Sequence, residues 1–189
     1  MVRGRPLLKR LCVTVGLVLA AGLTLGGSGR AANSPLSLAA EVKAAYLDKL
    51  GEFVEWPAAA FAAPTDPARL CVAGDDPFGP LLDQAVQGQK IASHPIVLVR
   101  LDKVDRPTPC HILFAAGSPR QSVADDLDKA RGAAVLTVTD GASGPTARGM
   151  VNFVLRSNRV RFEIDEEAAS QSGLTISSKL LSLAVKPEE

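Results

Sequence analysis

Leu70-Cys71-Val72-Ala73-Gly74-Asp75-Asp76-Pro77 is the stretch that decides the fold. Four apolar residues form a short strand, and the Gly-Asp-Asp-Pro turn that follows leads into a helix running to about Val86. Asp76 is suited to its N-cap and Pro77 to its first helical position. The same alternation then repeats along the chain. Ile96-Val97-Leu98-Val99 is a second strand and Ile112-Leu113-Phe114-Ala115 a third, followed by a predicted helix over Val123 to Ala130. Ala134-Val135-Leu136-Thr137-Val138 is the fourth strand. Three of the four are continuous apolar runs, a pattern that suits strands covered on both faces.

The pattern changes in the second half. Met150-Val151-Asn152-Phe153-Val154-Leu155 and Val160-Arg161-Phe162-Glu163-Ile164 alternate in polarity around Arg156-Ser157-Asn158-Arg159, which predicts an antiparallel hairpin on the sheet edge. Glu166 to Gln171 is a short helix ended by Gly173, and Leu174 to Ala184 a last one. Strands alternating with helices and closed by a hairpin define an α/β domain. It is expected to be a three-layer sandwich with a mostly parallel sheet and a C-terminal antiparallel hairpin.

Upstream of the first strand, Ser34 as N-cap and Pro35 at the first position start a helix. Leu38, Val42, Ala45, Tyr46, Leu50, Phe53 and Val54 recur at three- and four-residue spacing, so the helix is read to about Glu55 and ended by Pro57. Before it stand Arg3, Arg5, Lys9 and Arg10 and an apolar run from Leu11 to Leu25, too short to span a bilayer comfortably. Small residues follow, with Gly29 and Ala31 placed for a signal peptidase. Residues 1–31 are therefore expected to be a cleaved signal peptide, and 32–189 a single exported domain that does not insert in the membrane. An uncleaved membrane anchor is the alternative. Without its five basic residues the chain keeps 16 basic against 20 acidic residues, a net charge of −4. That balance argues against a nucleic-acid or anionic-membrane partner.

Cys12 leaves with the signal, so Cys71 and Cys110 remain. An even pair in an exported chain points to a disulfide worth roughly 3–4 kcal/mol, with two buried free thiols as the alternative. Both cysteines sit at strand starts, and a sheet with the third strand beside the first would bring them within bonding distance. A metal site is disfavoured because neither cysteine has a CxxC or HxxxH partner, and no cofactor motif is present. His94 and His111 also stand at strand starts, away from the carboxyl edge where doubly wound sheets do their chemistry. There is no nucleophile elbow, and Gly74 to Gly79 carries two carboxylates where a phosphate loop needs positive charge. No catalytic residue is assigned. Asp75, Asp76, Asp102 and Asp140 are expected near the carboxyl edge. Asp140 with Arg148 is the candidate ligand-binding pair, and a solvated acidic rim is the simpler alternative. Trp56 and Phe61, beside Glu52 and Phe53, form a candidate aromatic patch for a protein partner.

Lys43-Ala44-Ala45-Tyr46-Leu47 followed by Phe53-Val54-Glu55-Trp56-Pro57 resembles the opening signature of the YfiR family of periplasmic proteins. The segments from Leu70 to Gly79, Cys110 to Phe114, Val135 to Val138, Gly149 to Phe153, Val160 to Ile164 and Leu174 to Leu181 agree in the same order. The resemblance implies a non-enzymatic periplasmic regulator. Such a protein binds the periplasmic sensor domain of an inner-membrane diguanylate cyclase, holds it inactive and so controls cyclic di-GMP and biofilm formation. It further implies a disulfide between Cys71 and Cys110, a homodimer, and repression that depends on oxidation state. Members also occur beside sensor kinases and outer-membrane receptors, which makes a small-ligand-binding accessory protein of such a system the second reading. The chain departs from the family at Asp48-Lys49-Leu50, where an aromatic-Asn pair and an apolar residue are common, and at Arg148, where glycine is common. Asp48 and Lys49 thereby join Trp56 and Phe61 as candidate partner contacts.

Overall fold

The computed structural model describes residues 35–141 and 147–187. The expected signal peptide, its expected cleavage after Ala31 and the expected Ser34 cap lie outside the described residues, as does part of the segment between Asp140 and Gly149. Helix α1 spans Pro35–Leu50, and a 3-10 turn follows at Gly51–Phe53. The strands are β1 (Val54–Glu55), β2 (Ala68–Gly74), β3 (Lys90–Ile91), β4 (His94–Leu101), β5 (Ile112–Gly117), β6 (Leu136–Asp140), β7 (Val151–Arg156), β8 (Arg159–Ile164) and β9 (Thr175–Ile176). The remaining helices are α2 (Pro80–Val86), α3 (Val123–Ala130), α4 (Glu166–Gln171) and α5 (Ser178–Leu181).

Seven strands form one sheet in the order β3-β4-β2-β5-β6-β7-β8. The five central strands are parallel, and β3 and β8 close the two ends antiparallel. Counting only the parallel strands, the order is 2-1-3-4-5, a doubly wound arrangement whose switch point lies between β2 and β5. The third predicted strand does lie beside the first, and the C-terminal hairpin ends the sheet.

Residue alternation sorts the core into two layers. Leu70 and Val72 of β2, Ile112 and Phe114 of β5, and Leu136 and Val138 of β6 face α1, α2, α4 and α5, where Leu47, Leu82, Ala169 and Leu180 meet them. Cys71, Ala73 and Leu113 point to the opposite face, beneath Ala130 of α3. The strand-to-helix pattern is incomplete, because no helix stands between β4 and β5, nor, among the described residues, between β6 and β7. Among the described residues α3 is the one helix on the second face, and Val104 from the β4–β5 connection packs beside it. The continuous apolar run of β4 is therefore not buried on both sides as its sequence suggests. Its exposure alternates, and Val97 is 43 % exposed.

Three boundaries differ from the sequence reading for local reasons. The α-helix ends at Leu50, before Gly51 and not at Pro57: a Cβ at Gly51 would sit 2.4 Å from Ile91 Cδ1, so glycine lets the helix end close on β3 without moving that side chain. Val54–Glu55 is then a strand, paired antiparallel with Ile176 and Thr175 of β9. The last predicted helix shortens because β-branched Thr175 and Ile176 take that strand, and Ser177 caps α5 with its Oγ accepting from Leu180 N–H at 3.3 Å. Asp76 does not cap α2, which begins at Pro80. Its Oδ1 accepts from Phe78 and Gly79 N–H at 2.7 and 3.2 Å and so holds the turn that precedes the helix.

Candidate functional site

The N-terminal edge of the sheet carries a strap, residues 57–67, that links β1 to β2. Phe61 sits in this strap between two imidazoles. Its ring lies 3.7 Å from that of His94 and 4.2 Å from that of His111, with interplanar angles of 9° and 13°. Arg69 N–H donates to His111 Nδ1 and His111 Nε2–H donates to Ala60 O, both at 3.0 Å. These bonds leave His111 neutral with its proton on Nε2. Burial lowers its pKa, and nearby Arg69 and His94 add to the effect, while the Ala60 carbonyl and Asp66 oppose it. His94 Nδ1–H donates to Asp66 O at 2.6 Å and ties down the other end of the strap. Both histidines thus anchor the strap, and no catalytic partner faces them.

Beside the strap runs an open groove of about 790 Å³ bounded by the 3-10 turn, β1 and the β3–β4 hairpin. Trp56, Phe61 and His94 provide its aromatic wall and Glu52, Glu55 and Lys90 its charged rim. Trp56 is half-buried, and its Nε1–H is buried without a hydrogen-bond partner. Lys49 stands at one end, 2.9 Å from Glu52 and 3.3 Å from Gln89; the bond to Glu52 and then the one to Asp48 raise its pKa. The structure therefore brings Trp56 and Phe61 to one groove, with Lys49 near its end. Aromatic anchors inside a charged rim are the usual make-up of a protein-binding surface.

Two of the candidate partner contacts are more enclosed than the sequence suggests. Asp48 is not a surface contact. It is 5 % exposed, with Oδ2 at 3.1 Å from Lys49 Nζ and Oδ1 without a partner. Phe61 is not an open aromatic either, because both of its faces are covered by histidine rings and only its edge is left to the groove.

At the carboxyl edge the expected acidic cluster is divided. Asp140 forms an ion pair with Lys43 of α1, whereas Arg148 lies 2.7 Å from Glu163 of β8. Glu163 is buried and also binds Arg156 at 3.0 Å and Asn152 Nδ2 at 3.3 Å, so Arg148 closes a structural network. The structure does not bring Asp140 and Arg148 together. Asp76 pairs with Arg100, which also reaches Asp83 of α2; these two carboxylates raise the guanidinium pKa, Asp83 most strongly. Asp75 and Asp102 line a pocket of about 400 Å³ with Ser118 and Arg120 at the β2–β5 switch point. A second apolar depression, lined by Tyr46, Phe162, Leu180 and Leu183, escaped the sequence reading because its residues come from three distant segments.

Cys71 and Cys110 are bonded, with Cα atoms 5.9 Å apart. Their sulfurs join β2 to the residue pair ahead of β5 beneath the thin second layer. No group of histidine, cysteine and carboxylate side chains able to hold a metal occurs among the described residues. Nor is any helix among them long and apolar enough to cross a membrane.

The fold and site define a class first: a doubly wound α/β domain with an aromatic groove at its amino edge and no catalytic cluster in view. The family model for DUF4154, described as YfiR/HmsC-like, matches residues 40–185, and the chain belongs to that family. Its members are periplasmic regulators of signalling proteins rather than catalysts. No curated protein matches the chain.

Proposed function

We propose that the protein is exported, loses residues 1–31, and acts without catalysis by binding the periplasmic sensor domain of an inner-membrane signalling protein. The partner best suited is a diguanylate cyclase, held inactive while bound, so that release raises cyclic di-GMP and favours biofilm. The family match over residues 40–185 carries this reading. The groove lined by Trp56 and Phe61 supports it, with Lys49 and Lys90 able to meet an acidic rim on the partner. The protein is proposed to work as a homodimer.

The test is affinity capture of the full-length protein from an envelope extract, next to a Trp56→Ala, Lys49→Glu variant that still unfolds cooperatively. The wild type should retain an inner-membrane signalling protein and the variant should lose it, with cyclic di-GMP rising in cells that carry the variant. Equal capture by both would remove the groove from the proposal. The pocket formed by Asp75, Asp102, Ser118 and Arg120 favours a second reading, an accessory protein that takes a small ligand for a sensor kinase or outer-membrane receptor system. Recovery of no membrane protein, together with a metabolite that stays bound, would select that reading.

A further inference from the structure

The outer edge of β4 is left open by the fold. On its inner edge β4 pairs with β2 from Ala68↔Ile96 to Ala73↔Leu101. On its outer edge it meets β3 only at Pro95 and His94, and Ile96 N–H donates to Gln89 O at 3.0 Å. Beyond Ile96 no strand pairs with that edge among the described residues. Strand alternation fixes the rest. Because Ile96 directs its backbone groups outward, Leu98 and Arg100 do the same. The side chains of Val97, Val99 and Leu101 lie on the same face as Cys71 and Ala73, where Val99 and Leu101 are half-buried against the cluster around Cys71 and Val104 and Val97 is 43 % exposed. An aliphatic edge strand with unpaired backbone groups is a template for another strand.

We propose that this edge pairs antiparallel with the β4 of a second copy of the chain, about a two-fold axis through Val99. Opposed residues in an antiparallel ladder share a face, so only registers that keep parity are allowed. Centring the axis on Leu98 would require the Ile96 position, which Gln89 already occupies. Centring it on Arg100 would place two guanidiniums directly opposite each other, a destabilising arrangement. The Val99 register avoids both. It pairs Leu98 with Arg100 of the second copy and the reverse, each with its backbone groups facing outward. It also sets Val97 against Leu101 and Val99 against itself, so that one apolar stripe crosses the axis.

Self-pairing is favoured over a foreign strand by this symmetry, since the aliphatic triplet meets its own reversed copy without a polar mismatch. Arg100 adds no unpaired charge at the interface, because Asp76 and Asp83 each hold it at 2.7 Å within its own subunit. β3 and Pro95 block the far end of the strand, so the ladder closes as a two-fold dimer and does not propagate. The inference rests on the self-association within the proposed function and names the surface that makes it; it is independent of the signalling partner.

The experiment uses the mature protein with its native disulfide. Light scattering against concentration gives its monomer–dimer equilibrium, and Val97→Lys should raise the dissociation constant about tenfold or more while leaving the fold intact. A Val99→Cys variant should form a covalent dimer under mild oxidation. Leu155→Cys, at a site 58 % exposed on β7, should remain uncrosslinked and serves as the control. A dimer that survives Val97→Lys, or Val99→Cys crosslinking no faster than the control, would overturn the β4 interface and leave self-association by another surface. A wild-type chain that is monomeric at every concentration would overturn both.

Discussion

Phe61 stacks on His111 with ring centroids 4.2 Å apart and planes 13° from parallel, and this contact holds the strap against a histidine whose protonation state its hydrogen bonds fix. His111 Nδ1 is already an acceptor for Arg69 N–H. A second proton would put two N–H groups against each other and disrupt the stack.

The pH dependence follows from that geometry. Burial lowers the His111 pKa below its ordinary 6.5. Below 6.5 the unfolded chain then binds more protons than the native one, and stability falls as the pH drops from about 6.5 toward the folded value. The titratable groups around the ring are Arg69, His94 and Asp66; Asp66 opposes the shift, as does the Ala60 carbonyl that accepts from Nε2–H. Asp126 titrates in the opposite sense over part of this range, so the His111 contribution is read against the variant: between pH 7 and 5 the urea midpoint of the wild type should fall relative to that of His111→Asn. An unchanged slope in the variant would remove His111 as the cause.

A second titration runs in the opposite direction. Asp126 of α3 is 1 % exposed, and neither carboxylate oxygen has a hydrogen-bond partner. Burial, helped by neighbouring Asp125, raises its pKa to about 6 from an ordinary 3.8. Here the native state holds its proton longer than the unfolded chain, so stability falls as pH rises through 4 to 6. Replacing Asp126 with Asn should therefore stabilise the protein at pH 7.5, by something on the order of 2 kcal/mol, with almost no effect at pH 4. Equal effects at both pH values would mean that packing, not charge, dominates the site.

The disulfide gives a third expectation. Cys71 and Cys110 are 39 residues apart, and closing a loop of that size restricts the unfolded chain by about 4 kcal/mol on the entropy model. Cys71→Ala with Cys110→Ala should lower the unfolding free energy by roughly that amount. Alkylation of the mature wild type without reductant should label no thiol. Labelling of two thiols would show that the bond is absent in solution.

The sheet was legible because its signals are local. The runs at Leu70, Ile112 and Leu136 are bounded by turn residues, and α3 announces itself through Ser122 and Asp125, whose capping box the structure shows intact. The pairing of β1 with β9 was not legible, since Val54–Glu55 and Thr175–Ile176 are two-residue strands that gain meaning only from each other. The site was legible in part. Trp56 and Phe61 stood out as rare aromatics, but nothing near Phe61 in sequence shows that His94 and His111, 33 and 50 positions later, close on its two faces. Asp140 and Arg148 looked like a pair because they lie eight positions apart in the segment expected at the carboxyl edge. Lys43 and Glu163, each distant in sequence, prove to be their partners.

Two glycines separate backbone strain from close packing. Gly74 has φ +87° at the end of β2, and a Cβ there would lie 2.2 Å from Gly117 O, the carbonyl that accepts from Asp75 N–H at 2.9 Å. Gly88 has φ +73°, but a Cβ there meets nothing within 4 Å. Alanine at either site incurs the left-handed penalty, about 1 kcal/mol. At Gly74 it must also push β2 away from β5 at the switch point. Gly88→Ala should therefore lower the unfolding free energy by about 1 kcal/mol, and Gly74→Ala by at least twice as much. Denaturant midpoints of the two variants decide the matter. Equal losses would show that the β2–β5 contact yields easily, and that glycine is needed at position 74 for its dihedral angle alone.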